Sequence, residues 1–160
     1  MQTLCALEHL DYDLTRTHDY AQLFTAIAKL DLGEPALVQA FRRMVFNVLA
    51  ANHDDHTTNV AFLMDREGTW SLAPAYDLTF AHDPTNHWLR AHLMGVGGKF
   101  EDITAGDMLR LADRFAIPYA KSAISEIGDV IASWSQFTQL AGMSIADRDL
   151  VGAQLLALRA

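Results

Sequence analysis

The passage from residue 46 to residue 77 constrains this chain more than any other. An apolar run ending in Ala50-Ala51 gives way to the polar loop Asp54-Asp55-His56-Thr57-Thr58-Asn59. Two short apolar runs follow, residues 60–64 and 70–73, separated by Asp65-Arg66-Glu67-Gly68-Thr69. Short apolar runs joined by a polar, glycine-containing segment predict a β-hairpin. Pro74 ends the second strand, because it has no N–H to give to a ladder. The hairpin turns sequence into geometry. Asn59 stands just before the first strand and Asp77 just after the second. Paired strands lie about 5 Å apart, so these two residues return to one side. Asp54, at the far end of the loop, can project into the same volume.

Helical signals surround this unit. Tyr20, Leu23, Phe24, Ile27 and Leu30 recur at intervals of three and four, predicting a helix over residues 17–32 with Gly33 as its stop. Pro35 suits the first turn of a second helix, residues 35–51, which buries Leu37, Phe41, Met44, Val45, Val48 and Leu49. Residues 1–16 show no clear pattern. Residues 80–101, with three glycines and three histidines, read as a long loop with some extended structure. Thr104 and Asp107 form a capping-box pattern that starts a helix to about Phe115. Pro118 begins another, with Ile124, Ile127, Ile131, Trp134 and Leu140 near helical spacing. Ser144 and Asp147 mark a last start, and Leu150, Leu155 and Leu158 carry that helix to the end. The expected fold is mainly α with one small β-hairpin, an α+β lobe, and residues 1–160 form one domain by length.

Composition narrows the function. The chain is 51% hydrophobic and 20% charged with a net charge of −8, so direct nucleic-acid binding is not expected of it. Arg42-Arg43 is the one adjacent basic pair and falls inside a helix. Cys5 is alone, which excludes an internal disulfide or a thiolate metal cluster. No apolar run reaches membrane-spanning length and the N-terminus lacks a signal-peptide pattern, so a cytoplasmic protein is expected.

The loop and the hairpin together suit phosphoryl transfer. An Asp with an Asn five residues on, and a second Asp past a hairpin, is the layout of a protein-kinase-like site. Asp54 would orient the attacking hydroxyl, and Asn59 and Asp77 would hold magnesium on the ATP phosphates. Each residue also has a structural reading: Asp54 as a cap, Asn59 as a turn residue, Asp77 as a strand end. Asp55 lacks the interval to Asn59 and is read as structural. His56 is read first as a hydrogen-bonding brace for the loop, and stays a candidate catalytic group beside Asp54.

Phe46-Asn47-Val48-Leu49, the loop 54–59, Phe62-Leu63 and Trp70-Ser71-Leu72-Ala73-Pro74-Ala75-Tyr76-Asp77-Leu78 together resemble the C-terminal kinase lobe of HipA-family toxins. The D-x-H-x-x-N form of the loop, in place of H-R-D, is similar to that family. The segment 94–99 and the helices from Thr104 and around Trp134 also look like its tail. The resemblance implies a serine/threonine protein kinase of a bacterial toxin–antitoxin module. It also implies Asp54 as catalytic base, and Asn59 and Asp77 as ligands of Mg2+ on ATP. The implied partners are a protein substrate, an aminoacyl-tRNA synthetase in the best-known members, and a small DNA-binding, HipB-like antitoxin. Thr58 stands where the family often has Lys or Arg, removing a cationic contact. The family's glycine-rich N-terminal lobe finds no counterpart in the residues before Asp54, where Lys29 is the one lysine. The expectation is therefore a C-lobe that needs a complementing N-lobe and is weakly active or inactive alone.

Three other readings remain open on the residues. A truncated, non-catalytic lobe would bind an antitoxin or partner lobe. A metal-dependent phosphohydrolase would use His53-Asp54-Asp55-His56 and further histidines among His9, His18, His82, His87 and His92. A small-molecule kinase would share the D-x-x-x-x-N logic, with Asn52-His53 where such enzymes carry H-G.

Overall fold

The computed structural model describes residues 1–157, so Leu158 of the expected last helix lies outside the described residues. The architecture is mixed: seven helices and two small sheets among the described residues. Helix α1 (Leu4–Leu7) follows the two-residue strand β1 (Gln2–Thr3). Strand β2 (His18–Asp19) leads into α2 (Tyr20–Lys29), and α3 (Gly33–Leu49) follows. Strands β3 (Ala61–Met64) and β4 (Trp70–Leu72) form the hairpin, and β5 (Met94–Gly95) lies in the long connection. Helices α4 (Ala105–Arg114), α5 (Ala120–Ala132), α6 (Trp134–Leu140) and α7 (Ile145–Ala157) complete the chain.

Local chemistry sets these elements. Asp19 caps α2 by accepting from the Ala21 N–H at 2.8 Å, and Gln22 reaches back to the Asp19 N–H at 2.9 Å. Gly33 has φ +73°, a left-handed value suited to the sharp junction between α2 and α3. The expected capping box at Thr104 and Asp107 forms with both of its bonds. The apolar faces of α2 and α3 meet through Tyr20, Phe24 and Ile27 on one side and Phe41, Met44 and Val48 on the other, all buried. Burying a large side chain of this kind contributes about 2 kcal/mol. Helix α3 lies between α2 and α5, so the chain leaves its C-terminus from a rigid base.

The hairpin pairs as expected, Phe62 with Leu72 and Met64 with Trp70. Asp65 Oδ1 accepts from the Glu67 and Thr69 N–H groups at 2.9 Å each, and Gly68 takes φ +87° in the turn. Two pairings were not anticipated. Strand β1 adds to the other edge of β3, Gln2 opposite Phe62, and the N-terminal segment then runs along the loop, with the Cys5 N–H on the Thr57 carbonyl at 3.1 Å. Strand β5 pairs in parallel with β2, His18 with Met94 and Asp19 with Gly95. A Cβ at Gly95 would stand 3.0 Å from the Phe100 ring, so any larger residue there would have to push that ring aside.

The helical stretch after Pro118 is two helices rather than one. It breaks at Ser133, whose hydroxyl donates to the Asp129 carbonyl at 3.2 Å and so competes with the helical ladder. Leu140 is 86% exposed and Leu150 68% exposed, so neither belongs to the core that their spacing suggested, whereas Leu155 is buried.

Candidate active site

Helix α3 delivers the site. Its last turn is capped by the Ala50 N–H on the Phe46 carbonyl, and the Asn52 N–H then returns to the Asn47 carbonyl at 2.9 Å. The polar loop leaves from this point and ends at β3, and the hairpin brings Asp77 back beside it. Asn59 Nδ2 donates to Asp77 Oδ2 at 2.8 Å and to the Asp54 carbonyl at 2.9 Å. One amide therefore holds both halves of the site. Both of its hydrogens are used, which leaves Oδ1 as the atom able to meet a ligand.

Asp54, His56, Thr58, Asn59 and Asp77 line one cleft of about 430 Å³ together with Tyr12. The spacing thus brings together the four residues expected to form a site. The Asp54 carboxylate accepts no hydrogen bond from any described residue. Partial burial, and then the nearby Asp77 charge, raise its pKa above the ordinary carboxylate value. That is the environment of a carboxylate ready to take a proton. Asp77 has φ +53°, a left-handed conformation that non-glycine residues seldom take and that concentrates at functional positions. Its neighbour Tyr76 donates to the Thr58 carbonyl at 2.5 Å, tying the end of the hairpin to the loop. Burial and the Asp77 charge push the Tyr76 phenol up, so it stays a donor.

Both ring nitrogens of His56 are engaged. Nδ1 accepts from the Thr58 N–H at 3.2 Å, and Nε2 donates to the Tyr12 carbonyl at 2.9 Å. This is the bonding of a brace between the loop and the segment before α2. Tyr12 itself, 57% exposed at the rim, was missed by sequence reasoning. It sits in a stretch without periodicity, and only the fold brings it to the loop.

Asp55 faces the opposite way and is 3% exposed. Its Oδ2 accepts from Tyr20 Oη and His92 Nδ1, each at 2.9 Å, and its Oδ1 from the Leu93 and Met94 N–H groups at 2.8 and 3.2 Å. Behind it the rings of His53, His82 and His92 cluster, with His53 4.7 Å from His82 and 4.4 Å from His92. His53 donates from Nδ1 to the Leu89 carbonyl at 2.8 Å, and burial together with the two neighbouring imidazoles lowers its pKa to about 4. Two of these rings are thus committed to protein acceptors. Among the described residues no group of three or more His, Cys, Asp or Glu side chains is placed to hold a metal. The histidine-rich hydrolase site does not assemble. His87 lies apart, its ring edge-on to Trp88 at 5.7 Å.

The remaining donor set is Asn59 Oδ1 with the Asp77 carboxylate. Hard oxygen atoms, two from protein with the rest left to phosphate and water, fit magnesium. No helix among the described residues is long and apolar enough to cross a membrane.

The sequence matches the HipA-like C-terminal domain family over residues 1–135. The chain belongs to that family. Among solved structures, the HipA chain of the Shewanella oneidensis MR-1 toxin–antitoxin complex of HipA, HipB and operator DNA superposes with a TM-score of 0.69 at 22% identity. The alignment covers 91% of this chain and 36% of that one, so this chain spans about a third of that HipA's length. At this identity the likeness is one of fold. A comparison with curated proteins finds no match. The family assignment agrees with the HipA-like lobe expected from the loop and hairpin, and α2 and α3 occupy the positions that their periodicity indicated.

Proposed function

We propose that this HipA-like domain carries the catalytic loop of a serine/threonine protein kinase toxin. The observation that carries the reading is the single cleft in which Asn59 bridges Asp54 and Asp77 while the Asp54 carboxylate has no donor among the described residues. Asn59 Oδ1 and the Asp77 carboxylate would hold Mg2+. Bound ATP would supply the γ-phosphoryl group and, with the metal, spread the charge of transfer. Asp54 accepts the proton of an incoming serine or threonine hydroxyl, and its raised pKa keeps the carboxylate basic enough to do so. His56 and Tyr76 keep the loop in register through Thr58, so the base and the ligand residues hold their separation. A complementing lobe over the nucleotide, a HipB-like antitoxin and a cytoplasmic protein substrate complete the reading, which the family membership supports.

Calorimetric titration of ATP, with and without magnesium, into this chain and its Asp77→Ala variant tests it. Magnesium-dependent binding by the parent chain, lost in a folded variant, is expected. Binding indifferent to magnesium or to Asp77 would overturn the assignment of the site. No binding by either protein would bring the partner-binding role forward in place of catalysis.

A further inference from the structure

A continuous hydrogen-bonded chain runs through the interior behind the cleft. Asn52 Nδ2 donates to the Asp77 carbonyl at 3.3 Å and to Asn47 Oδ1 at 3.0 Å. Asn47 Nδ2 donates to Tyr20 Oη at 2.9 Å, and Tyr20 Oη donates to Asp55 Oδ2 at 2.9 Å. His92 Nδ1 closes the far end on the same Asp55 oxygen. Asn52, Asn47, Tyr20, Asp55 and His92 are each at most 7% exposed. The chain begins on the backbone of Asp77 and ends on the residue next to Asp54. It therefore joins, from behind, the two halves of the site that Asn59 joins in front.

The direction of each bond is fixed by the donors available. Asn52 must spend both N–H hydrogens, since Asn47 Oδ1 and the Asp77 carbonyl can only accept. Tyr20 receives the Asn47 hydrogen and has one of its own to give, which goes to a carboxylate that can only accept. Burial and the Asp55 charge keep that phenol protonated. The arrangement leaves Asn52 Oδ1 buried without a partner among the described residues, although buried acceptors are normally satisfied. The side chain thus serves the two links at the expense of its own oxygen. Apolar side chains could fill this volume without any such cost, so packing alone does not account for the chain.

We propose that Tyr20, Asn47 and Asn52 are positioning residues that hold the loop bearing Asp54 and the backbone of Asp77 at a fixed separation. What that separation serves, magnesium and nucleotide binding, rests on the kinase reading. Tyr20 acts through Asp55 and Asn47, and none of the three needs to touch a ligand. Outer residues that orient ligand side chains commonly change metal affinity tenfold or more when removed.

The test uses the whole chain and two readouts. The first is the 1H–15N signals of the Asp77 amide and the Asn59 side-chain amide, without any ligand. The second is the affinity for ATP in the presence of magnesium. Tyr20→Phe keeps the ring and removes the link, and Asn52→Ser cuts the chain at its other end. Ile27→Val, which removes one methyl from the buried face of the same helix, is the control for a merely loosened core. The proposal expects both signals to move in Tyr20→Phe and not in Ile27→Val, with magnesium-dependent ATP affinity about tenfold weaker. In Asn52→Ser the His92 ring signals are expected to move as well.

Signals that stay in place in Tyr20→Phe, or that move equally in Ile27→Val, would overturn the proposal. Signals that move while magnesium-dependent affinity is unchanged would also overturn the positioning role. If the parent chain shows no magnesium-dependent binding, the kinase reading fails, and the ligand-free signals alone decide whether the chain fixes the separation. Should Tyr20→Phe not fold, Asn52→Ser decides by the same signals.

Discussion

Two adjacent carboxylates, Asp54 and Asp55, face opposite sides of one loop, and the two sides are built on different principles. On the front, the Asp54 carboxylate is partly solvated, accepts no hydrogen bond from any described residue and is repelled by Asp77. On the back, Asp55 is buried and accepts four hydrogen bonds, from α2, from β5 and from the segment just before β5. The Asp55 carboxylate is fully engaged, whereas the Asp54 carboxylate keeps spare bonding capacity. A site that must bind and move a proton needs such capacity. It can be kept only where other residues hold the loop. The division teaches that a buried, fully bonded aspartate and one facing a cleft need not differ in sequence context, only in which side of the backbone they occupy.

Removing Asp55 should break this comparison with the largest effect. Asp55→Ala leaves the Tyr20 hydroxyl, the His92 ring and two backbone N–H groups buried without an acceptor. Losing one member of a buried, hydrogen-bonded ionisable cluster costs about 3–5 kcal/mol. Urea unfolding followed by circular dichroism should show a loss of that size. A cost under about 1 kcal/mol would mean that the back of the loop is no more essential than an ordinary surface site.

Asp77 offers a second, smaller contrast. Alanine and glycine at this position both remove the carboxylate that Asn59 bonds, but only alanine keeps a Cβ in the left-handed backbone. Asp77→Ala should therefore be less stable than Asp77→Gly by about 1 kcal/mol. Both should lose magnesium-dependent ATP binding alike. Equal stabilities would show that the loop relaxes once the Asn59 bond is gone, and that the strain at Asp77 is not imposed by the fold.

The front of the loop was legible in the sequence and most of the back was not. Asp54, Asn59 and Asp77 are set by a local spacing and one hairpin, and hairpin pairing follows from short-range pattern and turn chemistry. The capping box at Thr104 is equally local. By contrast, Asp55 meets Tyr20 across 35 residues and His92 across 37, and no periodicity encodes such a meeting. Its structural role could be inferred only by exclusion. The same holds for β1 and β5, which are two residues long and exist only because a distant strand accepts them. His82 and His92 fall in a segment read as a long loop and His53 beside the Asp54 loop, and the fold gathers all three into one cluster. The break at Ser133 was hidden because apolar spacing continues across it while a serine hydroxyl interrupts the ladder.

His53 carries the comparison into pH. Its pKa in the folded chain is about 4, below the unfolded value near 6.5, so folding excludes a proton that the unfolded chain would bind. Above about pH 6.5 both states are neutral and the group contributes no pH dependence. As pH falls from there toward 4, the unfolded chain gains a proton and stability declines, levelling off once the folded ring is protonated too. His53→Asn retains an N–H for the Leu89 carbonyl and removes the titration. Urea midpoints measured across this range should fall less steeply for the variant. A parallel decline in both proteins would place the pH sensitivity in other groups.

Asp54 should give the smallest effect on stability and the opposite sign. Its pKa is raised on folding, so its ionisation opposes the folded state, and the stability it allows at acid pH is lost as pH rises through the folded value. Asp54→Asn removes that opposition. The variant should be at least as stable as the parent at neutral pH, by about 0.5 kcal/mol or less, with the difference vanishing in strong acid. Thermal melts at neutral and acidic pH read both quantities. A variant less stable than the parent at neutral pH would mean that the Asp54 carboxylate supports the loop as Asp55 does. The front would then hold no capacity in reserve, and the case for Asp54 as the proton acceptor would fall with it. A stabilised variant would instead show that the fold bears an unfavourable charge in the cleft, as a group kept for binding or proton transfer requires.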